Sequence, residues 1–186
     1  MSLFEKFTEK VSEKINNPAL VELMKEQSLR DLLIKRAFRV SQGYLQREFL
    51  SRVLDDEMVE FSIALFDGRG EIAGKMKKRL LPAIPFSATF SIQGMEFTAA
   101  RKCVFLKLEK VGPVDFDWLT RKVVQHIPFL SCSGDLLTCD LTKVPRLAEL
   151  FDRRVKGINL NVWDLITLKE LTLKDGEIVG RVGVVL

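Results

Sequence analysis

The sequence predicts an α+β protein: N-terminal helices, then a long, curved, mostly antiparallel β-sheet covered by one or two helices. Apolar residues in the first forty positions recur at helical spacing, those beyond about residue 55 mostly alternate in period two, and residues 116–127 return to helical spacing. The expected organisation is one compact domain, with a helical segment over residues 1–43 joined to the sheet and its covering helices over residues 44–186. In a chain of 186 residues, a hydrophobic fraction of 47% is enough to bury a sizeable core, so a folded body is expected throughout.

Phe4, Phe7, Val11 and Ile15 fall on one helical face, and Asn16-Asn17-Pro18 breaks that run. Leu20, Leu23 and Met24 continue it. Ser28 and Asp31 then have capping-box spacing, with Leu29, Leu32, Leu33 and Ala37 on the face that follows. From about Tyr44 the period changes. Val59, Phe61, Ile63 and Leu65 alternate with Glu60, Ser62 and Ala64, which gives a strand with one buried face. Asp67 to Gly70 turns the chain, and Ile72, Gly74 and Met76 return it as a hairpin.

A second hairpin is expected from Phe86, Ala88, Phe90 and Ile92, turning at Gln93-Gly94 into Met95, Phe97 and Ala99. After Arg101-Lys102 the apolar parity moves to Val104, Leu106 and Leu108, which requires a bulge or a change of environment. Gly112-Pro113 closes that strand. Asp115 can cap the helix carrying Phe116, Leu119, Val123 and Ile127. A short hairpin at Ser133-Gly134, a short helix near residues 147–151, and strands over Ile158, Leu160, Val162, Leu171, Leu173 and Ile178 to Val184 complete the chain.

One phrase occurs twice, as LFDGRGEIAGKM over residues 65–76 and LKDGEIVGRV over residues 173–182. Asp-Gly turns recur in hairpins of every origin, so shared turn chemistry is preferred to internal duplication. Both copies place a glycine on the apolar strand face, Gly74 between Ile72 and Met76, and Gly180 between Ile178 and Val182. A strand glycine marks a bend, a bulge or a close approach, so a strongly curved sheet is expected. Its apolar face must be covered, since each exposed Phe or Leu forfeits roughly 1.5–3 kcal/mol. The candidates are the chain's own helices, a second copy in a homodimer, or an apolar ligand.

The long strands VEFSIALFDGRGEIAGKM and FSATFSIQGMEFTAA, the helix beginning DFDWLTRKVV, and the closing KGINLNVWDLITLKELTLKDGEIVGRV together resemble one module of the tubular lipid-binding superfamily. That superfamily includes the bactericidal/permeability-increasing-type proteins and related bacterial single-module proteins. The resemblance covers residues 55–186 and is one of element lengths and order. It implies a sheet wrapped around one or two helices and non-catalytic binding of a lipid or another elongated apolar ligand. Phe61, Ile63, Phe86, Phe90, Phe97 and Phe105 are the lining residues it implies. The alternative is a protein-interaction or scaffolding module whose core is filled by its own side chains.

Catalytic and metal chemistry find little to work with. His126 is the single histidine, so a two-histidine metal site is excluded, and its place near a helix end suits an imidazole bonded to terminal carbonyls. Asp55-Asp56-Glu57 precedes a strand and Asp115 with Asp117 opens a helix, positions at which capping and solubility explain carboxylates. No P-loop or dinucleotide fingerprint is present, and Cys103, Cys132 and Cys139 are expected to be small buried hydrophobes. The protein is therefore expected not to be an enzyme and to need no cofactor and no metal.

With 29 basic and 25 acidic side chains, the net charge of +4 favours anionic partners only weakly. Aromatic residues follow the buried parity instead of lying among the cations, which argues against nucleic acid. The densest basic run, Lys75, Lys77, Lys78 and Arg79, adjoins the proline-punctuated apolar segment from Leu80 to Phe86. A solvated strand face is the plainer reading of that run; contact with an anion or an anionic membrane, at about 1 kcal/mol per cation, is the functional one. Arg153, Arg154 and Lys156 form a weaker cluster, and the first helix balances Lys6, Lys10 and Lys14 with Glu5, Glu9 and Glu13. The N-terminus lacks an uninterrupted apolar run, so the expected location is the cytoplasm, with peripheral attachment at the inner membrane face as the variant.

Overall fold

The computed structural model describes residues 35–77, 82–98, 100–113, 116–145, 147–148 and 166–184. Among these, nine strands form two antiparallel sheets. The strands are β1 (Ala37–Ser41), β2 (Met58–Phe66), β3 (Arg69–Met76), β4 (Ile84–Phe97), β5 (Lys102–Gly112), β6 (Leu130–Ser133), β7 (Leu136–Asp140), β8 (Ile166–Lys174) and β9 (Glu177–Val184). The smaller sheet has the order β1-β9-β8 and the larger β2-β3-β4-β5-β7-β6. Helices α1 (Gln42–Glu48) and α2 (Phe116–His126) are described in full, with 3₁₀ turns at Leu50–Val53 and Leu141–Lys143 and helical residues at Pro145, Leu147 and Ala148. The α+β class and the antiparallel pairing agree with the sequence. The segment expected to hold the leading helices, residues 1–34, lies outside the described residues, as do Ile158, Leu160, Val162 and most of the helix expected at 147–151.

Three expectations are corrected. Ala37, read as the end of a helical face, opens β1, whose Phe38 and Val40 are more enclosed than Ala37, Arg39 and Ser41. Arg36 has φ of 49°, which no continuing right-handed helix contains, and its carbonyl instead accepts from Val182 N–H at 2.9 Å. β4 runs straight through Gln93-Gly94, because the register shift between Ile92 and Gly94 absorbs the glycine as an irregularity. The chain turns later, where Thr98 N–H donates to the Arg101 carbonyl at 2.8 Å. The expected single sheet is divided in two, with β1 joining β9 from the far end of the described chain.

The parity change expected near residue 102 follows from the turn, which pairs Phe97 with Lys102 and needs no bulge there; the β4–β5 pairing shifts register earlier, between Ala88 and Phe90 and again between Ile92 and Gly94. One face of the large sheet thereby stays apolar from β2 to β6. Leu119, Val123 and Ile127, one helical turn apart, pack α2 onto one end of that face with Met58, Phe61, Met76 and Phe86. Removing three such aliphatic side chains from water contributes about 1.5–3 kcal/mol each. A second core at the other end joins Leu65, Phe90, Leu108 and Leu137 to Leu173 of the small sheet.

Helix α1 closes the outer edge of β2. Ser41 caps the helix by accepting from Tyr44 N–H, which presents Gln42 and Gln46 on one face. The Gln46 side chain donates to the Phe61 carbonyl at 2.6 Å and accepts from Ile63 N–H at 3.1 Å; Gln42 accepts from Leu65 N–H at 2.9 Å. These amides take the place of a neighbouring strand over Phe61, Ile63 and Leu65.

The repeated phrase forms the hairpins β2–β3 and β8–β9, and their turns dock on each other. Gly68 N–H donates to the Leu173 carbonyl at 3.1 Å, and Gly176 N–H donates to the Leu65 carbonyl at 3.0 Å. Both glycines take positive φ, 76° and 73°, as the two-residue Asp-Gly turns require. Asp67 N–H reaches Asp175 Oδ1 at 3.2 Å and Lys174 Nζ reaches Asp67 Oδ1 at 2.6 Å, so the turns are linked by side chains as well.

Candidate functional site

The apolar face of the large sheet is the candidate ligand surface, and the hairpin glycines determine its shape. A side chain at Gly70 would meet the Phe90 ring at 2.1 Å, and one at Gly74 would meet the Phe86 ring at 2.7 Å. In the β3–β4 register Gly70 pairs with Phe90, Ile72 with Ala88, and Gly74 with Phe86. Each ring therefore lies over the glycine across from it, and the close approach expected of a strand glycine is an aromatic ring of the adjacent strand. Gly180 of β9 repeats the arrangement under Phe38 of β1, at 2.2 Å.

The six lining residues read from the sequence separate into three groups. Phe61 and Phe86 are buried in the α2 core with ring centroids 6.3 Å apart, and Phe90 is buried in the second core. Ile63 is half-buried and packs against both cores. Phe97 and Phe105 lie farther along the sheet, Phe97 beneath the Lys102 ammonium at 5.3 Å and Phe105 in register with Gly94 and Thr138. Strand alternation puts Phe105 on the opposite face from Val104 and Leu106.

Of the residues that link the two cores, the sequence singles out Ile63 but not Ile72. Ile63 and Ile72, register partners in β2 and β3, touch both clusters and are half-buried. Ile92, Leu106, Val124 and Ile178 are also half-buried and pack against the second core. Alternation identifies the strand residues among them as inward, but only tertiary packing distinguishes a half-covered seam from a closed core.

Of the basic run, Lys75 pairs with Glu60 at 2.8 Å and Lys77 is exposed, while Lys78 and Arg79 lie outside the described residues. Pro82, Ala83 and Pro85 are exposed beside it, and Leu54 and Val59 also reach solvent. Among the described residues no helix is long and apolar enough to cross a membrane.

The polar candidates have structural partners. His126 Nδ1 lies 2.9 Å from the Lys122 carbonyl, the helix-end contact that its position suggests. Lys122 Nζ bridges Asp55 at 2.5 Å and Glu57 at 2.9 Å, tying α2 to the entry of β2. Asp55 Oδ1 also accepts from the backbone N–H groups of Glu57 and Met58. Asp117 stands in the first turn of α2, and Asp115 lies outside the described residues. Burial pushes the Cys139 thiol up to about 12 and raises that of Cys132, which suppresses thiolate chemistry at both. No group of three metal-ligating side chains occurs among the described residues.

No family model, curated protein or solved structure matches this chain.

Proposed function

We propose that the chain is a non-catalytic binding module for a lipid or another elongated apolar ligand, as its resemblance to the tubular lipid-binding modules implies. The supporting observation is a row of half-buried aliphatic side chains on one sheet face, Ile63 and Ile72 touching both packed cores and Ile92 and Leu106 the second. An apolar chain laid there would remove that surface from water at about 25 cal/mol per Å². In this reading Phe61, Phe86 and Phe90 form the packed walls and the isoleucines make the contact. Lys75, Lys77, Lys78 and Arg79, beside exposed Pro82 and Ala83, would bring the module to an anionic membrane surface where such a ligand is collected.

The second reading is an interaction module filled by its own side chains, favoured by the packing of Phe61 and Phe86 beneath α2. Titration of the full chain with a fluorescent long-chain fatty acid, paired with native mass spectrometry after organic extraction, separates the two. Binding expects saturation and a co-purified amphiphile, with affinity reduced at least tenfold by Ile72→Trp, which fills the seam. Absence of both saturable binding and extractable amphiphile would establish the self-filled module instead.

A further inference from the structure

The hairpin joining β4 to β5 buries a charge on the apolar side of the large sheet. Lys102 opens β5 and pairs with Phe97, the last residue of β4. Strand alternation sets it on the face of Val104, Leu106 and Leu108, the last of which belongs to the second core. Lys102 is only 4% exposed, its ammonium donates to the Thr98 carbonyl, and it lies 5.3 Å from the centre of the Phe97 ring.

Among the described residues no carboxylate pairs with it, and the strand register explains why. Glu96 of β4 and Asp140 of β7 are both register partners of Cys103, so they stand on the opposite face of the sheet. There Glu96 is engaged by Arg101 at 3.1 Å, and Asp140 by Lys143 at 3.1 Å. An ammonium has three N–H donors, of which the Thr98 carbonyl takes one. A carbonyl and a π-face compensate a buried cation only in part, and a buried ammonium without a counter-charge is among the costlier features a fold can carry.

Between Lys102 and the second core the same face is apolar. Val104 pairs with Met95 and Leu106 with Ile92 across β4, and with Cys139 and Leu137 across β7. Val104 is buried, whereas Met95, Phe97, Ile92 and Leu106 are half-buried. Four residues of β5 separate Lys102 from Leu106, a length of about 13 Å. Apolar contact over that length with one positive charge at its end complements an amphiphile with an anionic head. β4, β5 and β7 contain no arginine, and a single ammonium without a guanidinium fork suits a singly charged carboxylate better than a phosphate. We propose that the apolar ligand of this module is a long-chain carboxylate, its head on the Lys102 ammonium and its tail along the β4–β5 pairs toward the second core. The carboxylate rests on the apolar-ligand reading above and supplies the headgroup of that ligand.

Isothermal titration of the full chain with decanoate and with decanol, at neutral pH, fixed ionic strength and concentrations below aggregation, tests the head and the tail separately. Both should saturate, with decanoate at least tenfold tighter. Lys102→Met, which keeps the buried stem, should abolish that preference while decanol binds as before. If the variant does not fold, the two titrations of the unaltered chain still decide. Equal affinity for acid and alcohol would overturn the carboxylate head and leave the apolar-ligand reading standing, whereas binding of neither would overturn both. A preference for decanoate that survives in folded Lys102→Met would also overturn the assignment, because the head would then lie elsewhere.

Discussion

Hairpin β2–β3 turns at Asp67-Gly68 inside the six-stranded sheet, and hairpin β8–β9 turns at Asp175-Gly176 inside the three-stranded one. Both place a buried leucine before the turn, Leu65 and Leu173, and both carry a register shift in the first strand, between Met58 and Glu60 and between Leu168 and Glu170. Both also set a glycine of the second strand under a phenylalanine of the next, Gly74 under Phe86 and Gly180 under Phe38. The likeness therefore extends over three strands, with β8-β9-β1 repeating β2-β3-β4. The hairpins differ in what surrounds them. The first is held by α1 along its edge and by α2 at its entry, whereas the second is held by β1, by the docked turns, by the Gln42 N–H that the Gly176 carbonyl accepts, and by packing on β4 across the second core. The same local chemistry thus serves as an interior layer in one place and as a lid over the second core in the other.

The largest effect is expected where the two meet. Leu65→Ala and Leu173→Ala each remove a buried side chain from the second core and should cost about 3 kcal/mol in denaturant unfolding. Since both side chains share one cluster and their backbones exchange hydrogen bonds with the opposite turn, the double variant should depart from additivity by about 1 kcal/mol. Additive losses would mean that the hairpins are stabilised separately and that the docking of their turns contributes little.

A smaller effect separates the glycines. A Cβ at Gly74 would meet the Glu60 carbonyl oxygen at 2.4 Å as well as the Phe86 ring, so backbone must move. At Gly180 the obstacle is the Phe38 ring, which is half-buried in β1 at the edge of its sheet and can swing aside. Gly74→Ala is expected to lower stability by about 2–3 kcal/mol and Gly180→Ala by about 1 kcal/mol, measured as shifts of the denaturation midpoint. Equal losses would remove the distinction between a glycine required by backbone and one required by a ring.

These contrasts also show what period and turn chemistry reveal. Asp-Gly turns, the alternation in β2, β3, β8 and β9, and the spacing of Leu119, Val123 and Ile127 depend on near neighbours, so they could be read from the chain. The strand at Ala37–Ser41 is concealed because it is short, its first residue fits the tail of a helical face, and its partner β9 lies far away in sequence. Gly94 looked like a turn, since a glycine inside a bulged strand and a glycine in a hairpin loop carry the same local signal. Alternation turns Phe61, Phe86 and Phe90 inward, where they are buried, but whether an inward ring faces a ligand or a helix depends on tertiary packing. Nothing in the neighbours of Lys102 marks a lysine for burial, although it is buried.

The smallest effect concerns the bolt that the second hairpin lacks among the described residues, the ion cluster fixing the entry of β2 to α2. Burial pushes the Asp55 carboxyl up, but the Lys122 hydrogen bond and the Met58 and Glu57 N–H groups together outweigh it, and its pKa falls below 3.8. Hydrogen bonds to Asp55 and Glu57 raise the Lys122 ammonium above 10.5 against the opposing effect of burial. The Asp55 contribution is therefore complete above its unfolded value of 3.8 and is lost as pH falls through the lower folded value. That of Lys122 is complete below 10.5 and is lost as pH rises through its higher folded value. Between these limits Lys122→Met should cost about 1 kcal/mol, as suits a cluster whose carboxylates are partly open to solvent. For a chain of this size the cost corresponds to a melting temperature lower by about 2–4 °C. The variant should also lose part of the acid slope below 3.8 in a pH series of thermal melts. An unchanged acid slope would show that α2 is held to β2 by its apolar face alone, and would make the two hairpins more alike than their surroundings suggest.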